Sequence, residues 1–320
     1  MSRLLIDTHH HILPPHYVAE VGAHPIGSQG VSGRVPDWSL DGALALMDEA
    51  GISTAVTSIS APGLGGLTGA AAASLARWCN EFAATMIRER PTRFGMFSCL
   101  PMDDLDAALA EAAYTDDILQ ADGICLMSHY DGAYLGERRF HPLYEELDRR
   151  CAVVFVHPTT PVHPVLVAGL SASMLEFPFD TTRTIASLVF GGVLRSYPNI
   201  RWIFSHAGGA MPYLSGRLET VSKVNPGLRE HIPDGLPQAL RSVYFDCALS
   251  ANPVHFAALR ALVDDSQILF GTDYPFGPKR QMMETVGGLA SLNLPSEAVM
   301  AIESANALRL FPRLERRLRA

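Results

Sequence analysis

Short apolar runs rich in β-branched and aromatic residues recur along the chain, and the stretches between them carry apolar positions at helical spacing. That alternation, at intervals too long for hairpins, predicts an α/β protein. The strands fall at Leu4–His9, Thr54–Ser60, Phe94–Leu100, Gly123–Ser128, Val153–His157, Ile200–His206, Val243–Cys247 and Ile268–Thr272. Ser39 is placed to cap a helix that carries Leu44 and Met47 and ends at Gly51. Further helices are expected over 72–90 (stopped by Pro91), 105–119, 182–197 (stopped by Pro198) and from Pro295 to Phe311. The longest irregular piece is 13–37.

No internal repeat, low-complexity tract or linker divides these units. They predict a single domain over residues 1–320, a distorted TIM-like (β/α)8 barrel. An open doubly wound sheet competes, and a GxGxxG or Walker motif after the first strand would favour it. Neither occurs, and the glycine-rich piece Gly63–Gly69 follows the second strand without that pattern.

The strands end on chemistry. Reading their C-terminal edges gives Asp7/His9/His11, Ser58/Ser60, Ser98, Ser128/His129, His157, His206, Asp246 and Asp273. In a barrel these ends converge on the face where active sites are built. Residues i and i+2 of a strand point the same way, so His9 and His11 can reach one ion while His10 points away. Val153–His157, Ile203–His206 and Phe270–Asp273 each drive an apolar run into a histidine or carboxylate. A buried group of that kind needs partners, and a divalent cation supplies them jointly.

Composition narrows the classes. The chain has 320 residues, 48% of them hydrophobic and 18% charged, which is ample for a buried core and unlike a disordered chain. Its 25 basic and 33 acidic residues give a net charge of −8 with no basic run, so neither nucleic acid nor a membrane is an expected partner. The five cysteines show no C-x-x-C and sit in apolar segments, as buried reduced thiols do. The N-terminus turns polar after three apolar residues, too short for a signal-peptide core, and the expectation is a cytoplasmic protein.

The order H-x-H after strand one, His after strands five and six, and Asp after strand eight resembles the amidohydrolase superfamily. The connecting sequence resembles its decarboxylase branch, which includes aminocarboxymuconate semialdehyde decarboxylases and aromatic-acid decarboxylases such as those of the 6-methylsalicylate type. The shared pieces are Asp7–His11, Trp38, Gly191–Val193, His206–Gly209, Pro212–Arg217 and Gly271–Pro275, and they span the chain. Ser58–Gly63 and Glu176–Arg183 look most like the 6-methylsalicylate type. The resemblance implies that His9, His11, His157 and Asp273 ligate one metal and that His206 stays unbound as an acid/base, with Asp273 also catalytic. Three imidazoles and a carboxylate suit Zn²⁺ best and admit Mn²⁺. Binuclear members bridge two metals with a carboxylated lysine on strand four or five; here the only lysines are Lys223 and Lys279, which argues for a single metal.

For a carboxylate substrate, the resemblance points to Arg217, reaching across a homodimer interface, and to Arg34 in the loop before Trp38. His129, at the end of strand four, is placed to contact an aromatic ring. Arg183 begins a helix and is expected to pair with Asp180. Ser58, Ser60 and Ser98 read as strand-end hydrogen-bonders. The expected reaction is non-oxidative decarboxylation of a small aromatic or dienoic acid. A metal-dependent hydrolase of a lactone or amide, a hydratase of an unsaturated dicarboxylate and a non-catalytic binding barrel are the alternatives.

Overall fold

The computed structural model describes residues 3–277 and 279–320. Eight parallel strands lie in chain order: β1 (Ile6–His11), β2 (Thr54–Ser58), β3 (Phe94–Cys99), β4 (Gly123–Met127), β5 (Val153–His157), β6 (Arg201–Phe204), β7 (Tyr244–Asp246) and β8 (Ile268–Leu269). The last strand returns to the first. Thr8 N–H donates to the Phe270 carbonyl at 2.9 Å, Asp273 N–H donates to the His9 carbonyl at 2.8 Å, and His10 bridges to Tyr274. The architecture is the TIM-like barrel that the alternation predicts.

Helices cover the outside: α1 (Leu40–Ala50), α2 (Gly69–Glu89), α3 (Leu105–Asp117), α4 (His141–Arg149), α5 (Ala172–Phe190), α6 (Met211–Val224), α7 (Pro253–Leu262), α8 (Lys279–Ser291) and α9 (Pro312–Arg319). Ser39 caps α1 by accepting from Gly42 N–H, and Gly51 ends it in the left-handed conformation.

Three expectations are corrected. The helix expected over 182–197 begins at Ala172 and runs straight through Pro178, then breaks at Gly191–Gly192, where Gly192 adopts φ 78°. Pro178 is tolerated inside the helix because tertiary packing holds the turn around it, with Thr182 Oγ1 donating to the Pro178 carbonyl. The helix from Pro295 is divided, with a π-type turn over Ala301–Ala305. The piece 13–37 contains two short helices, Pro15–Val21 and Ala23–Gly27.

Along β5, Val153 and Phe155 join the barrel's inner cluster with Ile6, Phe97, Ile203 and Leu269, while Val154 and Val156 face the helices. His157 continues the inner row. Phe311 and Leu314 close the cluster from the opposite end of the chain. β1 is less regular. Ile6 pairs with Thr54 and Asp7 with Ala55, but His10 pairs with Thr57 and His11 with Ser58, so β1 carries one extra residue between them. This bulge inverts the alternation. Without it His10 would share the inner face with Ile6; with it His9 and His11 do, and the His9 ring lies 5.0 Å from that of Phe155.

Candidate metal centre and active site

Ligand atoms of His9, His11, His157 and Asp273 all lie within 4.8 Å of one another at the C-terminal mouth of the barrel, and all four residues are buried. His9 Nε2 and His11 Nε2 are 3.0 Å apart, and each is 3.2 Å from Asp273 Oδ1. The His157 ring centroid is 5.2 Å from that of His9 and 4.7 Å from that of His11.

The second nitrogen of each imidazole decides its tautomer. His157 Nδ1 donates to the Pro158 carbonyl at 2.7 Å, which can only accept. His9 Nδ1 lies 2.8 Å from Asp246 Oδ2, and His11 Nδ1 2.9 Å from Ser58 Oγ. With those protons placed, three Nε2 lone pairs converge on a carboxylate oxygen, Asp273 Oδ1, which is buried and has no hydrogen-bond partner. Acceptors crowded around one point without a donor are the arrangement a cation resolves.

Ionisation sets His9 apart from the other two imidazoles. Burial works to lower His9, yet the Asp246 carboxylate outweighs it and lifts His9 to about 10 in the metal-free protein. A cation bound at Nε2 must displace that proton. Burial lowers His11 to about 4, and burial together with the neighbouring imidazoles holds His157 well below its usual value, so both offer lone pairs at neutral pH. Burial would raise Asp273, but the imidazoles of His11, His206 and His9 that face it hold its carboxyl well below the usual carboxylate range.

The backbone that aims these groups is unusual. His206, Ala207 and Asp273 have φ of 53°, 55° and 63°, a region costly for side-chain-bearing residues. Two carboxylates hold them there. Asp246 Oδ1 accepts from His206 N–H at 3.0 Å and Ala248 N–H at 2.9 Å. Asp7 accepts from Thr272 N–H at 3.1 Å, Thr272 Oγ1 at 2.5 Å and His9 N–H at 3.0 Å, and its other contact is His10 Nδ1 at 2.9 Å. Gly271 is needed for close approach, because a Cβ there would stand 2.7 Å from His9 Cβ.

His206 stands apart from the donor group. Its Nε2 is 3.6 Å from Asp273 Oδ2, beyond hydrogen-bond range, and it lines a cavity of about 310 Å³. Phe177, Phe276, Met174 and Leu249 form that cavity's apolar walls, with Gln29, His255 and Gln281 among its polar groups. The structure thus brings together His9, His11, His157, Asp273 and His206. No arginine or lysine is among the described residues lining the cavity. Arg34 is exposed on its loop and Arg217 is exposed on α6. His129 is buried, faces the Thr160 carbonyl at 3.2 Å and lines a neighbouring cavity. Arg183 lies 3.8 Å from both Asp180 and Glu176. Ser58 serves His11, and Ser98 donates to Thr115 and the Gly123 carbonyl. Lys223 is exposed and Lys279 pairs with Glu49.

Sequence reasoning missed Asp7 and Asp246 as positioning groups, although both stood among the polar strand ends. It also missed His255, which reaches the cavity from the first turn of α7, where no strand ends.

The amidohydrolase family profile matches residues 6–313. A 6-methylsalicylic acid decarboxylase of Penicillium expansum is 37% identical over 320 residues, covering 97% of each chain. A 2-amino-3-carboxymuconate-6-semialdehyde decarboxylase of Dictyostelium discoideum is 29% identical, over 64% of this chain and 57% of its own. Among solved structures, 5-carboxyvanillate decarboxylase of Novosphingobium aromaticivorans, complexed with manganese, superposes with a TM-score of 0.84 at 21% identity, over 97% of this chain and 96% of that one. No described helix is long and apolar enough to cross a membrane.

Proposed function

Because the chain belongs to the amidohydrolase family, we propose that it is a metal-dependent, non-oxidative carboxy-lyase for a small aromatic or dienoic acid, with 6-methylsalicylate the first candidate. The observation that carries this reading is the intact donor group with a free histidine beside it, in a chain 37% identical over its length to a protein of that named activity.

His9, His11, His157 and Asp273 would hold one divalent cation, Zn²⁺ first and Mn²⁺ second by donor type. Bound there, the cation supplies an electrostatic hold on the substrate's carboxylate and adjacent oxygen. The chain's own groups do the rest. Phe177 and Phe276 flank the ring and keep water from it. His206 Nε2 delivers a proton to the ring carbon bearing the carboxylate. The C–C bond then breaks heterolytically, its electron pair restores the aromatic ring, CO₂ leaves, and His206 is reprotonated from solvent. No serine or cysteine serves as nucleophile in this scheme.

The cavity draws no cationic side chain from its own described residues, so Arg217 would serve it from a second copy in a homodimer, with Arg34 on the near loop. Five unpaired cysteines, four of them buried, suit a reducing cytoplasm. An inner cluster that runs from Ile6 to Leu314 supports a single domain.

The test is CO₂ release from 6-methylsalicylate and related acids by purified protein loaded with Zn²⁺ or Mn²⁺. Release from at least one acid, abolished by chelation, is the expected result. Turnover of lactones or amides with no CO₂ from any acid would overturn the proposal in favour of hydrolysis.

A further inference from the structure

The barrel mouth is divided. The donor group and its cavity occupy the ends of β5, β6, β8 and β1, whereas the ends of β2, β3 and β4 open onto a second cavity of about 770 Å³, more than twice the size of the first. The two share walls. Ile59 lines the larger and Ser60 the smaller; His157 lines the smaller and Thr159 the larger. Between them Met127 and Phe177, one facing each cavity, belong to a single apolar cluster with Ala61.

The larger cavity is lined mostly by apolar side chains, with His129 as a buried polar group in its wall and charged groups at its rim. Leu100, Met127 and Phe140 are buried in its wall, Leu64 and Leu67 are half-buried, and the charged Asp103, Asp131 and Arg139 are exposed. Burial raises the Cys125 thiol, which makes it wall material and not a nucleophile. The lip is the glycine-rich segment that matched no phosphate-binding pattern. Gly63, Gly65 and Gly66 have φ of 65°, 67° and 80°, and a Cβ on Gly65 would stand 2.5 Å from Val21 Cγ1. Those glycines fold the segment back so that Leu64 and Leu67 line the space. A methyl group on a ring held in the smaller cavity needs none of it.

Resting on the decarboxylase reading, we infer that the second cavity receives an apolar ring substituent longer than methyl, so that the preferred substrates are phenolic acids bearing an alkyl chain. The carboxylate end lies at the donor group, the chain passes the Met127–Phe177 partition, and its tip approaches the polar rim.

The experiment is a chain-length series, 6-methyl-, 6-propyl-, 6-pentyl- and 6-heptylsalicylate, assayed with metal-loaded protein for CO₂ release and, on the same samples, for Kd by calorimetry. Each added CH₂ should raise kcat/KM roughly fourfold up to pentyl, through KM, as burial of a methylene provides. Leu64→Trp and Leu67→Trp, both on the lip, should bring the pentyl-to-methyl ratio toward one. A flat or falling series alongside turnover of the methyl compound overturns the inference, as does an equal effect of the lip variants on every acid. If no acid releases CO₂ the decarboxylase reading fails instead, and the dependence of Kd on chain length still decides what the cavity takes.

Discussion

Asp246→Asn isolates the group that aims two of the site's histidines. The Asp246 carboxylate is fully buried and makes three bonds, Oδ1 with His206 N–H and Ala248 N–H, and Oδ2 with His9 Nδ1. An asparagine can place its oxygen on only one side. Facing the two backbone N–H groups it keeps both bonds; flipped, it strands two buried donors at about 1–3 kcal/mol each. It therefore keeps the oxygen inward and turns its NH₂ toward His9 Nδ1. Two donors then meet, and when His9 gives up its second proton to bind a cation, the one it keeps is driven to Nε2, the atom that faces His11 and Asp273. The lone pair needed for a cation is lost from one donor of four. Second-layer changes of this kind cost about 10–100-fold in metal affinity, or about 1.4–2.8 kcal/mol. Competition with a chelating dye measures the loss, and CO₂ release at limiting metal should fall in parallel. Asp246→Ala is the contrast, because it strands both backbone donors and should unfold at distinctly lower temperature, whereas the asparagine variant should not. Metal affinity of Asp246→Asn within threefold of wild type would refute the assignment of Asp246 as the group that fixes the His9 tautomer.

His206→Ala should reduce turnover by about 10²–10⁴-fold while metal content after dialysis stays at the wild-type level, since His206 is not among the four donors; loss of metal would contradict its role as a proton carrier. Gly271→Ala puts a Cβ 2.7 Å from His9 Cβ and 3.2 Å from Asp246 Cβ, so metal retention and thermal stability should drop together. Arg317→Gln removes the cation 2.8 Å from the buried Asp122 carboxylate and should cost about 3 kcal/mol at neutral pH by urea unfolding. Burial already raises the Asp122 carboxyl despite Arg317, so the folded state takes up a proton before the unfolded chain does. The deficit of the variant should therefore shrink as pH falls through the acid range and the carboxyl becomes neutral; a deficit independent of pH would assign the loss to packing instead.

How legible the barrel was depended on which residues had only one job. Val153–His157 is buried along its length and alternates cleanly, and its predicted and observed limits coincide. β6 and β8 came out shorter than predicted, because Ser205–His206 and Gly271–Asp273 leave the ladder to aim His206 and Asp273 through positive φ, and apolar patterning does not encode where a ladder stops. The i, i+2 argument put His9 and His11 on one face, but it is the bulge between Asp7 and His10 that turns this face inward; hydrophobic pattern alone would have turned His10 inward. α5 was expected from 182 and begins at Ala172, because apolar spacing cannot see that Thr182 and the turn after His206 hold the chain around Pro178. The neighbouring cavity was not legible at all, since no motif marks a space enclosed by leucines and methionines from three separate segments.

Asp7 and Asp246 explain why donors from both ends of the chain can be relied on to meet. The site lies on the seam where β8 returns to β1, and the bonds that close the barrel are also those that orient the ligands. Asp273 N–H is held by the His9 carbonyl, Thr272 by Asp7, and Asp7 in turn caps the His9 N–H within the bulge. His9 extends this chain through Asp246 to His206, so one continuous set of hydrogen bonds joins the first strand, the last strand and the His206 backbone. Any opening of the seam separates His9 and His11 from Asp273 at once. Closure of the fold and assembly of the donor group are thus one event, and a cation bound between them stabilises the barrel at the point where its circular order depends on the longest sequence separation.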